Sequence, residues 1–195
     1  MIPRRSLDRR PLATSETHPI RVDTIPLGGM PGRLGLTFAP GKKDAAGAAP
    51  WRTFRWARDL DADLAELRNR WNTDVLVSLM QAHEHEEVDV HDLYDAVGRH
   101  GIRSLPFEIV DGSVPDDADR HAFTELIDDL HAELASGRNV TVHCKGGLGR
   151  SGMVAACLLV RAGLDPDAAI DVVRTHRRGS IQTFAQEEYV RDFAG

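Results

Sequence analysis

Cysteine is scarce in this chain. There are two, Cys144 and Cys157, in 195 residues, too few for a disulfide framework. No apolar run reaches membrane-spanning length, and the N-terminus has no apolar stretch of the signal-peptide kind. No internal repeat is visible. The zinc-hydrolase spacing His-Glu-x-x-His is missing: His83-Glu84-His85-Glu86-Glu87 looks metal-like but has the wrong spacing and no companion ligand cluster, so it reads as a solvated loop after a strand, and no metal or other cofactor is expected. No Gly-Lys-Ser/Thr follows the glycines at 146–149, which excludes the phosphate loop of nucleotide hydrolases. Positive charge is in deficit, 24 Lys and Arg against 30 Asp and Glu for a net charge of −6. That balance argues against a general nucleic-acid or anionic-membrane binder, while leaving room for a small basic patch around a pocket.

What is present fits one catalytic domain. With 42% hydrophobic residues the chain can bury one sizeable core. Met1 to Pro19 carries Arg4, Arg5, Arg9 and Arg10 with Pro and Ser/Thr and reads as a disordered arm, leaving 20–195 as the domain. Short strands are expected at Arg21–Leu27 and Leu34–Phe38, a helix at Leu60–Trp71 and a strand at Asp74–Met80. A helix at Asp89–His100 and a strand at Ile102–Ile109 follow. Phe123, Leu126, Ile127, Leu130 and Leu134 share one helical face, with Gly137 as terminator. Asn139–His143 is a short β-branched strand of the buried, central kind, and Met153–Val160 is apolar all round, as a core helix is. Asp165-Pro166 opens another helix, closed by Gly179. The order implies an α/β fold in three layers, a mainly parallel central sheet flanked by helices.

The chemistry concentrates at His143-Cys144-Lys145-Gly146-Gly147-Leu148-Gly149-Arg150-Ser151. Five residues separate Cys144 from Arg150, enough to loop once around a tetrahedral anion with backbone N–H groups pointing inward. Gly146, Gly147 and Gly149 permit the positive-φ and close-approach geometry of such a loop. The helix starting near Arg150 adds unpaired N–H groups and the positive end of its dipole, which favours the thiolate of Cys144, the attacking species. Arg150 offers a planar fork for two phosphoryl oxygens. Ser151 can donate a hydrogen bond to the sulfur, and His143 is expected to support it through hydrogen bonding within the loop. Lys145, Gly146, Gly147, Leu148, Gly149 and Arg150 would then bind the substrate's phosphate. Gly147–Gly152 also fits the dinucleotide fingerprint Gly-x-Gly-x-x-Gly, but residues 165–178 read as a helix where that fold needs a second strand with an acidic residue.

This stretch resembles the Cys-x5-Arg-Ser/Thr signature of the cysteine-dependent protein phosphatases, and with His before the Cys and Gly-Leu-Gly after it, their dual-specificity branch. Leu34-Gly35-Leu36 with Pro40-Gly41-Lys42, Ile109-Val110-Asp111-Gly112, Val154–Leu159 and Ile181-Gln182-Thr183 extend the likeness to the cyclin-dependent-kinase-associated phosphatase family over residues 20–195. The resemblance implies a dual-specificity-phosphatase-like fold and removal of phosphate from phosphorylated protein Tyr, Ser or Thr through a phosphocysteine. It does not transfer the kinase substrate. Such chemistry needs a general acid, which the resemblance places at Asp111, in Asp-Gly-x-x-Pro spacing with Pro115; Asp116 is the fallback, better suited to cap the next helix. It also implies that Gln182 orients the hydrolytic water, with Gln186 in support, although Thr183 and Gln186 equally read as a helix capping box. A phosphoinositide or RNA phosphatase and a non-catalytic phosphate binder are the alternatives, as, less so, is an arsenate reductase or sulfurtransferase. A working thiolate needs a reducing compartment, so the cytoplasm is the expected location. Trp51, Phe54 and Trp56 read as core cover, Cys157 as core, Lys42 and Lys43 as a solvated loop, and Arg174, His176, Arg177 and Arg178 as helix C-terminal charges that can also face the pocket. Oligomeric state is not readable.

Overall fold

The structure is a computed structural model, and it describes residues 8–45 and 52–193. A five-stranded sheet runs in the order β2 (Asp23–Ile25), β3 (Leu34–Phe38), β7 (Val140–Cys144), β5 (Val75–Ser78), β6 (Arg103–Pro106). All neighbours are parallel except β2, which pairs antiparallel with β3. Two-residue strands β1 (Leu12–Ala13) and β4 (Arg55–Trp56) form a separate parallel pair.

Period-2 alternation sorts side chains to the two faces. Leu76 of β5 packs with Leu64 and Leu67 of α1 (Leu60–Asn69) and Leu93, Ala96 and Val97 of α3 (Leu93–Arg99). Val75 and Val77, one residue to either side, face the larger core with α4 (Arg120–Ala135), α5 (Gly149–Arg161), α6 (Pro166–His176) and α7 (Phe184–Asp192). A short α2 (Ala82–Glu87) follows β5. These are the three layers the sequence implies. α5 is buried from Gly149 through Leu159, a rigid spine that holds its own N-terminus, and the loop ahead of it, at the carboxyl end of β7. In open parallel sheets that end is where ligands bind.

Two expectations differ. Residues 8–19, read as part of a disordered arm, are placed against the domain: β1 pairs with β4, and the His18 carbonyl accepts from Arg58 Nη1 at 2.7 Å. Residues 1–7 and Trp51 lie outside the described residues. The helix after the Asp111 loop begins at Arg120 with Asp119 in the capping position, so Asp116 does not cap it; its carbonyl accepts from Asp119 N in the preceding turn.

Candidate active site

Register brings the parts together. Phe38 at the end of β3 lies opposite Cys144 at the end of β7, and the chain then turns through 145–148 into α5. Cys144 is nearly buried, and its Sγ accepts the Gly147 N–H at 3.2 Å. Gly147 has φ +67°, and a Cβ there would stand 2.0 Å from the Thr37 carbonyl oxygen, so both conformation and close approach demand glycine. A Cβ at Gly149 would meet the side chains of Gln182 and Gln186 at 2.9–3.1 Å. At Gly146 it would meet nothing and φ is not positive, so that glycine is not sterically required as expected.

Arg177, on the underside, donates to the Gly147 carbonyl and to Asp23 Oδ2 (2.6 Å) on β2, tying the loop to the sheet edge. Arg174 donates to the carbonyls of Ser180 and Ile181. Ile181 adopts φ +55°, a left-handed conformation that β-branched residues avoid, and this bend delivers Gln182 to the site.

Arg150 is 1% exposed and fixed from three sides. Its Nη1 and Nη2 form a fork on Glu84 at 2.6 and 2.8 Å, and Nη1 also donates to the carbonyls of Leu79 (3.1 Å) and Ile109 (2.9 Å). Its Nε has no partner among the described residues, and Nη2 meets Asp111 Oδ1 at 2.9 Å. One edge of the guanidinium is therefore held by protein, and the other, Nε and Nη2, is the edge that can bind a phosphoryl group bidentately. Burial opposes the charges of Arg150 and Glu84, and their mutual pairing overcomes it, raising the arginine's pKa and lowering the carboxylate's.

Glu84 is the residue sequence reasoning missed. The segment read as a solvated loop is α2, with Glu84 buried and, at N3, accepting the Gln81 N–H at 3.0 Å. The only local signal is that capping pattern, Gln81 with Glu84 three residues on. Among the described residues no group of His, Cys, Asp or Glu forms a metal site.

A cleft of about 560 Å³ opens over the sulfur, lined by Lys42, Asp44, Arg52, Val88, Asp111, Cys144, Lys145, Gly146, Leu148 and Gln182. The structure thus collects Cys144, Asp111, Lys145 and Gln182 in one cleft with Arg150 beneath. Asp111 is 71% exposed on its loop. Asp116 lines a different cavity. Gln186, buried, receives the Gln182 N–H on Oε1 (2.9 Å) and donates Nε2 to the Ser113 carbonyl (3.1 Å), while Thr183 Oγ1 donates to the Gly112 carbonyl. Only half of the capping box forms, Thr183 Oγ1 accepting the Gln186 N–H; the glutamine side chain instead joins the Gln182 segment to the Asp111 loop.

Two expectations are corrected. Ser151 Oγ is buried without a hydrogen-bond partner among the described residues, so it does not donate to the sulfur. His143 is wholly buried with the Cys144 backbone as its hydrogen-bonding neighbour, and burial, then His85, hold the ring neutral down to about 3, so it lends the sulfur no charge. Lys42 is 6% exposed rather than solvated, whereas Lys43 is exposed and paired with Asp89 (2.8 Å). Cys157 is core as expected, its thiol pushed up by burial. Phe54 and Trp56 are half-buried and pack edge to face on one another. No helix among the described residues is long and apolar enough to cross a membrane.

The sequence model of the family described as cyclin-dependent kinase inhibitor 3 (CDKN3) matches residues 5–170. A protein of that name from Sus scrofa is 34% identical over an alignment covering 96% of this chain and 84% of its own length; one from Homo sapiens is 33% identical over the same shares. Among solved structures, a kinase associated phosphatase whose catalytic-site cysteine is replaced by serine superposes with a TM-score of 0.77 at 30% identity, over 90% of this chain and 94% of that one.

Proposed function

Because the chain belongs to the cyclin-dependent kinase inhibitor 3 family, we propose that it is a cysteine-dependent phosphatase that hydrolyses phosphomonoesters on protein Tyr, Ser or Thr through a phosphocysteine at Cys144. The observation that carries the reading is the pairing of Cys144, at the base of the cleft, with an Arg150 fork that Glu84 holds on one edge and leaves to the ligand on the other.

The proposed steps follow from that geometry. The Cys144 sulfur attacks phosphorus in line, forming an S–P bond as the P–O bond to the substrate breaks. Arg150 Nε and Nη2 and the loop N–H groups hold the equatorial oxygens, so stabilisation is electrostatic and preorganised. Asp111, a carboxylate while it sits on Nη2, gives way to the phosphoryl group, takes up a proton from solvent on leaving the arginine, and delivers it to the leaving oxygen. It then takes a proton from a water oriented by Gln182, the S–P bond breaks, and inorganic phosphate leaves with the thiolate restored.

The relatives' names, a kinase inhibitor and a kinase associated phosphatase, favour a phosphorylated protein as substrate, protein kinases included. The pairing of Lys145 with Glu87 neutralises the loop lysine that a phosphoinositide headgroup would use. The thiolate's need for reducing conditions favours the cytoplasm. The test is hydrolysis of p-nitrophenyl phosphate, phosphopeptides of all three types and a phosphoinositide, beside Cys144→Ser and Asp111→Ala. Cys144→Ser is expected to lose turnover by orders of magnitude and Asp111→Ala by roughly 10²–10⁴-fold. Unchanged turnover in Cys144→Ser would remove the nucleophile, and hydrolysis of the lipid alone would remove the protein substrate.

A further inference from the structure

Four cations bear on the cleft. Arg52 is paired with Asp44, Lys145 with Glu87, and Arg150 with Glu84 and Asp111. Lys42 differs: among the described residues its partners are the Lys145 carbonyl, to which Nζ donates at 3.3 Å, and the ring faces of Phe38 and Trp56, 4.8 and 5.1 Å from Nζ. It has no carboxylate, although it is almost wholly buried. A packing role for the stem would be met by methionine without the cost of desolvating an ammonium. The position is also specific. Lys42 follows β3, whose Phe38 is in register with Cys144, and its Nζ is anchored to the first peptide after the nucleophile. One of the ammonium's three N–H donors is taken by a carbonyl and the others meet ring faces, weaker partners that an anion in the cleft can displace.

We propose that Lys42 is a substrate-binding residue whose ammonium contacts an oxygen of the phosphoryl group seated over Cys144. This deepens the phosphatase reading and rests on it. The groups around Lys42 are Asp44, Arg52 and Arg58 on the segment between β3 and α1, Cys144 and Lys145 on the catalytic loop, and Asp111 across the cleft; Val88, at the end of α2, is apolar. Burial first, then Arg52, bring the ammonium down to about 8 against the pull of Asp44 and Cys144, with Arg58 adding to the descent. Deprotonation above that pH removes the charge on which the contact's strength rests, and a bound dianion holds the proton on.

The experiment compares wild type, Lys42→Met and Lys42→Arg on p-nitrophenyl phosphate from pH 6 to 9.5. Lys42→Met is expected to raise KM about tenfold at pH 7 with kcat changed less, the size of one charge-assisted hydrogen bond, and to lose the fall in kcat/KM that wild type shows above about pH 8. Lys42→Arg is expected to recover KM and lack that fall. Lys42→Gln carries the same expectation should the methionine variant fail to fold. Wild-type KM and an unchanged basic limb in the uncharged variants would overturn the proposal. A calorimetric arm separates it from the phosphatase reading: inorganic phosphate is expected to bind Cys144→Ser about tenfold more tightly than the double variant with Lys42→Met, and equal affinity overturns the contact. If wild type hydrolyses no phosphomonoester while that difference persists, the catalytic reading fails and the anion contact stands.

Discussion

At the scale of single residues, the buried Arg150–Glu84 pair decides most. A buried charge stripped of its partner costs about 3–5 kcal/mol, so Glu84→Ala is expected to lower stability by that order in urea unfolding. It also frees the guanidinium to rotate, and kcat/KM is expected to fall by roughly 10²-fold or more, the scale of one lost transition-state donor. The carboxylate's folded pKa is depressed, so its contribution to stability is complete above its unfolded value and is lost as pH falls through the folded one. Lys42 has the same sign for the opposite reason, since here the fold disfavours the charged form. Its folded pKa, about 8, lies below the ordinary 10.5, so the unfolded chain binds more protons between those values and wild type gains stability as pH rises through them. Relative to Lys42→Met, thermal melts are expected to show that gain between pH 8 and 10, bounded by about 3 kcal/mol. Cys144 and Arg150 were legible because their relation is encoded in one short spacing, whereas Asp111, 33 residues ahead of Cys144, was read through the family resemblance. Glu84 was not legible, since its partner lies far along the chain and its one local mark, the capping pattern with Gln81, points to a helix start rather than to Arg150. Lys42 was misread for the complementary reason, as a charged residue in a Gly- and Ala-rich loop whose burial depends on Phe38 and Trp56 packing from elsewhere.

At the scale of elements, β7, the catalytic loop and α5 act as one unit, and β-branched alternation, glycines and an unbroken apolar run made it readable. The strands were longer in expectation than in fact, β6 spanning Arg103–Pro106 and β2 only Asp23–Ile25, because pairing rather than propensity ends a strand. The pair β1–β4 carried no signal, as two-residue strands have no period to detect. Gly147 belongs to this scale, since its missing Cβ lets the loop lie on the β3 backbone. Gly147→Ala is expected to destabilise by about 2 kcal/mol or more through strain and clash and to abolish turnover, as melts and p-nitrophenyl phosphate assays would show. Gln186→Ala is a milder case. It cuts the link from the Gln182 segment to the Ser113 carbonyl and is expected to lower kcat several-fold with little change in phosphate affinity.

At the scale of the molecule, an acidic chain gathers Lys42, Arg52 and Lys145 beside Asp44 and Asp111 at one opening, a lining with a small excess of positive charge. Capture of a dianion there is expected to weaken with ionic strength, seen as KM rising with salt while kcat holds. The α/β architecture was readable from the order of elements, whereas the edge of the domain was not. A Pro- and Arg-bearing segment looks like tail until residues 8–19 are seen pairing with β4 and holding Arg58.

That segment reaches the chemistry by a short relay. The His18 carbonyl holds Arg58, Arg58 makes a double ion pair with Asp63, and Asp63 takes the Gly41 N–H, one residue from Lys42. Cleavage ahead of Pro19 is expected to loosen the Gly41–Lys42 segment through this relay and to raise KM without touching the nucleophile. Handles for purification belong at the opposite terminus.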